Sequence, residues 1–190
     1  IEVTGNTLGL AGGNGVNGPN TNGSIGTFVT TDRASTDGTF PAGTTSDWRQ
    51  NRAEADLFVP DGATILHAEL IWGGSYEYGA ENVRPNLNEA IRFTTPGETV
   101  SVTPDAATSQ TIDLTSPEGF EVHYYVRSAN VTAAVARAGA GRYAAGRVPG
   151  TQDTAIQELN AAGWTLVVAY QHNGAPARNM SIFVGADWVD

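Results

Sequence analysis

Residues 163–170 read Gly-Trp-Thr-Leu-Val-Val-Ala-Tyr, a nearly all-apolar run that a glycine opens and that has an aromatic residue near each end. The run is too short for an ordinary helix and is rich in bulky and β-branched residues, so it is typical of a strand. Because only one threonine interrupts the apolar residues, we expect this strand to be buried on both faces. The chain is therefore expected to be built from sheets around a packed core.

The clearest alternation of apolar and polar residues runs over residues 66–72 and is ended by Gly73 and Gly74. A period of two predicts an antiparallel strand with one buried and one solvated face. The buried face is expected to hold Leu66, Ala68, Leu70 and Trp72, and the solvated face His67 and Glu69. Further strands are predicted over residues 1–4, 27–30, 53–59, 90–94, 99–103, 110–114, 120–127 and 142–148, with a final hairpin of residues 164–170 and 179–184.

One helix and one long irregular segment interrupt this pattern. Asn130 is a candidate cap for a helix over residues 131–137, which Gly139 and Gly141 terminate. Residues 5–26 are rich in glycine and asparagine and are predicted to form a surface loop, or an arm that a neighbouring subunit or a ligand orders. The 190 residues are thus expected to form one domain, an all-β, antiparallel, jelly-roll-like β-sandwich with one short helix.

Composition excludes several classes of function. There is no cysteine, which excludes a disulfide, a thiolate metal site and a cysteine nucleophile. The net charge of −10 repels phosphate backbones, so nucleic-acid binding is not expected. No apolar run is long enough to span a membrane. The low charged fraction of 16% favours an exported β-protein, and Ile1 in place of a methionine favours a processed mature end.

Few residues in the sequence are candidates for a catalytic, metal or ligand site. His67 with Glu69, and His123 with Glu121, share strand faces, and two adjacent strands could bring all four together for a metal or acid–base site; the alternative is an ordinary solvated sheet face. No cofactor is expected unless it is calcium, for which Asp32, Asp37 and Asp47 in one polar region are the candidate ligands; ordinary turn chemistry is the alternative. Tyr76, Tyr78 and Trp48 are candidate exposed aromatics for stacking on a sugar ring.

Several short motifs occur in a characteristic order along most of the chain. They lie at residues 5–8, 59–65, 68–73, 83–84 or 91–97, 130–132, 163–170 and 176–183. In this the chain resembles the N-terminal domain of large bacterial cell-surface proteins that carry tandem Ig-like conserved repeats. Those proteins look adhesin-like and are common in actinobacteria and other soil bacteria.

The resemblance implies a non-enzymatic structural or adhesive module of an extracellular or cell-surface protein or fibre. Its partners would be itself or other surface subunits, through a strand edge or the N-terminal arm; a carbohydrate-binding module that binds glycans is the alternative. Asn130 stands where family members usually have Asp, and the further strands that usually follow the final hairpin are missing. An unpaired strand edge left in this way is expected to be an association site.

Overall fold

The computed structural model describes residues 1–11, 24–28, 44–45, 47–115, 119, 121–152, 160–176 and 178–186. Over these residues the chain is mainly β-structure with one α-helix, α1 (Thr132–Ala138), and short 3-10 turns at Trp48–Gln50, Arg84–Asn86 and Ala106–Thr108. The strands are β1 (Glu2–Thr7), β2 (Gly9–Ala11), β3 (Ser24–Phe28), β4 (Thr44–Thr45), β5 (Arg52–Leu57), β6 (Thr64–Ser75), β7 (Glu77–Tyr78), β8 (Glu81–Asn82), β9 (Ile91–Thr94), β10 (Thr99–Val102), β11 (Gln110–Thr115), β12 (Glu121–Asn130), β13 (Gly141–Gly146) and β14 (Ala162–Gln171).

Two antiparallel sheets form the body of the molecule. The larger sheet has the strand order β1-β14-β6-β12-β11, and the smaller has the order β10-β9-β13-β5. Their facing side chains share one apolar core that includes Leu70, Trp72 and Leu166 of the larger sheet and Phe93 and Tyr143 of the smaller. The predicted all-β antiparallel sandwich is therefore confirmed, and the strands expected between residues 53 and 148 are present with shifted ends.

The apolar run lies in β14, and both its burial and its strand pairing differ from the prediction. Trp164, Leu166 and Val168 are buried, but Thr165 and Val167 on the opposite face are only half-buried, so the expectation of burial on both faces is wrong. β14 pairs with β1 and β6, and residues 179–184 form no strand, so the predicted final hairpin is also wrong. The core thus needs only one face of this strand.

The alternation in β6 is broken by one extra residue. Ala169 of β14 pairs with His67, and the next residue, Tyr170, pairs with Ile65, which leaves Leu66 without a partner. A bulge of this kind shifts the following side chains to the opposite face. Leu66 is accordingly 55% exposed, while Ile65 packs against the core, so the predicted inward position of Leu66 is wrong.

The predicted helix is confirmed and lies against β6. The side chain of Asn130 accepts a hydrogen bond from the backbone N–H of Thr132, with 3.0 Å between the nitrogen and the oxygen. Val131, Ala134 and Val135 are buried on one stripe, which packs the short helix onto the sandwich. Gly139 ends it with a φ of 68°.

The two ends of the predicted Gly/Asn-rich loop are strands. Residues 5–7 belong to β1, residues 9–11 to β2 and residues 24–26 to β3, so the loop prediction is wrong for these parts. Residues 12–23 lie outside the described residues. β1 also joins the sheets: the Thr4 hydroxyl donates to the carbonyl of Asp56 at 2.8 Å, and the Asn6 amide donates to the carbonyl of Glu54 at 2.8 Å.

Candidate functional site

The outer face of the larger sheet, turned away from the core, carries an open groove. Cross-strand pairing aligns Thr7, Gly163, Gly73 and Val126 in one row and Gly5, Thr165, Ile71 and Ser128 in the next. The central strands β14 and β6 thus contribute two glycines side by side. We call this depression, which has a volume of about 760 Å³, the sheet-face groove.

Two of the glycines in the groove are required by the fold. A side-chain carbon on Gly73 would lie 2.3 Å from the carbonyl oxygen of Tyr125, and one on Gly5 would lie 2.3 Å from that of Trp164. Gly163 differs, because a side-chain carbon there would meet its nearest neighbour, the carbonyl oxygen of Asn6, at 3.4 Å, an ordinary contact. The groove floor therefore holds one glycine that close backbone packing does not explain.

The groove is uncharged, and its lining mixes apolar residues with threonine and asparagine. Its lining contains no charged residue, and Val3 at its β1 side is 55% exposed. Trp72 and Trp164 also border it, but their side chains belong to the core and are almost fully buried. A wide, solvent-open groove of this kind suits contact with another macromolecule better than enclosure of a small substrate.

A second feature is a cluster of Tyr76, Arg84, Asp113 and His123 around one carboxylate, which we call the Asp113 cluster. The Tyr76 hydroxyl donates to Oδ1 of Asp113, and Nδ1 of His123 lies 2.7 Å from the same oxygen. Nη2 of Arg84 lies 3.6 Å from Oδ2. These residues come from β11, β12 and the chain that follows β6, so one carboxylate ties the last strand of the sheet to its neighbours.

Hydrogen bonding sets the electrostatics of this cluster. The hydrogen bond from Tyr76, and then that from His123, hold the pKa of Asp113 below its usual value of 3.8. Burial first, and then the hydrogen bond to Asp113, raise the pKa of Tyr76 to about 12. Both shifts favour an ionised carboxylate that accepts from a neutral phenol. The cluster therefore links neighbouring strands, and its polar groups serve as one another's hydrogen-bond partners.

The aromatic residues predicted to face solvent are mostly buried. Tyr76 is fully buried beside His123, and Trp48 is 5% exposed with the guanidinium of Arg49 over its ring at 4.3 Å. The expectation that these two rings are exposed is wrong, because Tyr76 faces the core side of its sheet and Trp48 is covered by its neighbours. Tyr78 in β7 is half-buried.

The described part of the structure does not bring the predicted calcium ligands together. Asp32 and Asp37 lie outside the described residues. Asp47 accepts hydrogen bonds from the backbone of Arg49 and from the side chain of Gln50, as a residue that caps a turn does. Within the described ranges no group of three or more His, Asp or Glu side chains is arranged to hold a metal ion.

The hypothesis that the four His and Glu residues form one site is wrong, although one of the two pairs does form. Nε2 of His67 lies 3.2 Å from Glu69, whose carboxylate also accepts from the Ser128 hydroxyl at 2.6 Å. Glu69 is buried, which corrects its predicted solvent position. Glu69 pairs with Asn130 at one end of the β6–β12 ladder, whereas His123 lies beside Tyr76 at the other.

Sequence reasoning missed Asp113 as the partner of His123, and it missed Arg84 as the further partner of that carboxylate. The alternation of β11 was visible, but the register that places Asp113 opposite His123 is a non-local pairing. The three histidines drew attention to glutamates two residues away, because a strand period can be read within one segment. Only a prediction of which strands are neighbours could have found the real partner.

Comparison with known proteins identifies no matching family model, no similar curated protein and no similar solved structure. In the part of the chain that the structure describes, no helix is both long and apolar enough to cross a membrane.

Proposed function

We propose that this chain is a non-enzymatic structural or adhesive module of an exported bacterial surface protein or extracellular fibre. We further propose that it associates with other copies of itself through the sheet-face groove. The observation that carries the proposal is Gly163, which keeps the floor of the groove open although a side chain there would meet no backbone clash.

A glycine in the middle of a strand has a cost. It loses more backbone entropy on folding than other residues, and relative to alanine it destabilises a strand by roughly 0.5–1 kcal/mol. A strand glycine that packing does not require is typical of a place where another backbone or a ligand approaches closely. The exposed Val3, which lines the same groove further along β1, supplies apolar surface for such a contact.

The two association routes expected from the sequence receive less support. The arm over residues 12–23 lies outside the described residues. The edge strand β11 is largely exposed and polar, with Asp113 in its centre, and charged or polar edge strands are a common means of preventing strand addition. The groove is therefore the contact surface that we favour.

The alternative of a carbohydrate-binding module is weakened at the residues on which it depended. Sugar rings stack on the open faces of aromatic side chains. Tyr76 and Trp48 are buried, and both tryptophans beside the groove are buried too, so these rings offer no open face. Tyr78 is the one candidate of the original three that keeps partial exposure.

Size-exclusion chromatography with light scattering, followed by negative-stain imaging, tests the proposal. The purified chain should form dimers or longer assemblies as its concentration rises. Gly163→Ala should weaken that association, and Gly163→Val should abolish it, because each adds a side chain where the partner must approach. Both variants should unfold at or above the denaturant midpoint of the original chain, because Gly163 makes no contact that needs a bare backbone.

Gly97→Ala is the matched control. Gly97 lies in a turn on an exposed surface away from the groove, and a side chain there would meet nothing within 4 Å. This variant should associate like the original chain. A monomer of 19.8 kDa at every concentration, or assemblies that Gly163→Val leaves unchanged, would contradict the proposal.

A further inference from the structure

Four of the ten arginines of this lysine-free chain converge on the smaller sheet. Arg49, Arg52, Arg92 and Arg147 line a cavity of about 50 Å³, which we call the arginine cleft. Arg92 alternates with the buried Ile91 and Phe93, so the cleft opens on the outer face of its sheet, on the opposite side of the sandwich from the sheet-face groove.

Strand register places a glycine between two of these arginines. Gly146 in β13 pairs with Arg92 of β9 on one side and with Arg52 of β5 on the other. A side-chain carbon on Gly146 would lie 2.3 Å from the carbonyl oxygen of Asn51, so the fold requires glycine here. The two guanidinium-bearing strands are thereby separated by a floor without a side chain.

The backbone of Arg147 is held in an unusual conformation beside this floor. Its φ is 61°, and it is the only non-glycine residue with a positive φ in the described part of the chain. The buried Asn51 holds it there: its carbonyl accepts from the N–H of Arg147 at 3.1 Å, and its side chain bonds both backbone groups of Val148, at 3.0 and 2.7 Å. Conformations that are disfavoured and yet held in this way concentrate at ligand clamps and active sites.

The cleft carries a local excess of positive charge. Arg49 lies 3.9 Å from Asp47, and Arg52 forms an ion pair with Glu54. Among the described residues, Arg92 and Arg147 form no ion pair within 4.0 Å, so four positive charges less two negative ones leave about two positive charges. Arginines cannot relieve their repulsion by losing protons, so a counter-ion is the means that remains.

We propose that the arginine cleft binds one doubly charged tetrahedral oxyanion group of the sulfate or phosphate kind. Guanidinium groups present fixed forks of donors that match such oxygens two at a time. The small volume admits a single group, and an excess of two positive charges matches a dianion. The group can be a free inorganic ion or the terminal phosphate of a monoester, because both carry close to two negative charges at neutral pH.

Titration of the protein with sodium sulfate, followed by two-dimensional ¹H–¹⁵N NMR, tests this inference. Sodium chloride at the same ionic strength serves as the reference for screening. Sulfate should give saturable shifts of the Gly146 and Arg147 amides and of the arginine Nε–H signals, whereas chloride should not. A response that is linear, or equal for the two salts, would overturn the proposal.

Three variants distinguish a specific binding site from non-specific electrostatic attraction. Arg92→Gln and Arg147→Gly should each weaken sulfate binding by about tenfold, the effect of losing one charged hydrogen-bonding partner. Arg147→Gly also removes the conformational strain, so it should fold at least as well as the original chain. Arg178→Gln removes the same charge from an exposed position that does not line the cleft, and it should leave binding unchanged. Equal weakening by all three variants would show general screening only and would overturn the proposal.

A second titration with a monosaccharide phosphate, whose monoester group carries close to two negative charges at neutral pH, identifies the source of the group. Shifts at the same residues, with affinity equal to or above that of inorganic sulfate, would support recognition of an ester at the end of a larger molecule. Binding of inorganic sulfate alone would support a site for the free ion. Saturable binding of neither would overturn the proposal, and none of these results depends on whether the chain self-associates.

Discussion

At the scale of single residues, the Asp113 carboxylate illustrates how one polar atom organises its surroundings. It accepts hydrogen bonds from Tyr76 and His123, and Arg84 approaches its second oxygen. The phenol of Tyr76 is fully buried, and the Asp113 carboxylate is the acceptor for its hydroxyl. An unsatisfied buried group costs more than the net value of the bond it loses.

The pH dependence of stability should reveal this carboxylate. The folded-state pKa of Asp113 lies below the unfolded value of 3.8, so the folded state binds fewer protons at acid pH. Its contribution to stability is therefore present above that value and is lost as the pH falls through the lower, folded-state pKa. We expect Asp113→Asn to be less stable than the original chain by about 1 kcal/mol at neutral pH, a value discounted because the carboxylate is partly exposed.

Urea unfolding of both proteins between neutral pH and pH 3 checks the expectation. The difference in unfolding free energy between them should shrink below pH 3.8, while the other carboxylates affect both proteins alike. Tyr76→Phe is the control for the hydrogen bond, and it should reduce the pH dependence in the same direction. Two curves that stay parallel down to acid pH would rule out Asp113 as the titrating group.

At the scale of elements, the alternation of apolar and polar residues and the helix-cap residues both predicted structure. The alternation failed where one inserted residue shifted the period of a strand. The helix α1 was predictable, because its cap, its apolar stripe and its terminating glycine are all adjacent in sequence. In β6 the same type of pattern misplaced Leu66, because a bulge adds a residue that no local signal marks. The exposure of Tyr76 was misjudged as well, since the burial of a residue after a strand depends on which chain covers it.

The end of α1 offers a test of backbone conformation alone. Gly139 has a φ of 68° and a ψ of −146°, a region that essentially only glycine occupies, and a side chain there would meet nothing within 4 Å. Gly139→Ala should therefore destabilise the protein by about 1–3 kcal/mol through strain. Gly97→Ala has equal space and no positive φ, so it should be neutral or slightly stabilising.

Thermal and urea unfolding of the two alanine variants measure the difference in stability between them. The two substitutions add the same methyl group to equally open positions, so a clear difference between them isolates the backbone term. Equal stability of the variants would show that α1 ends in solution with a different backbone conformation.

At the scale of the whole molecule, the layers were predictable and the strand order was not. Short apolar strands separated by turns predict a sandwich. Nothing local predicts that β14 lies between β1 and β6, or that β9 and β5 place two arginines on either side of a glycine in β13. The groove and the arginine cleft both arise from such non-local pairing, which is why neither was foreseen.

The hydrogen bonds from β1 to β5 should contribute to closing one side of the sandwich. Thr4→Val keeps the shape of the side chain and removes the hydroxyl that donates to Asp56, so the carbonyl loses one bond. We expect a loss of about 0.5–1.5 kcal/mol of unfolding free energy. Thr7→Val in the same strand, on the exposed outer face, should have no such effect. Urea unfolding measures both, and equal effects would show that the bond does not join the sheets.

The most direct test of the account is a methyl NMR series of the original chain over a wide range of concentration. Association through the sheet-face groove predicts that the methyl signals of Val3, Ile71 and Val126 shift progressively, while those of the core residues Ile91 and Val135 stay in place. Shifts that are absent, or that are confined to residues away from the groove, would contradict the assignment of this face as the contact surface.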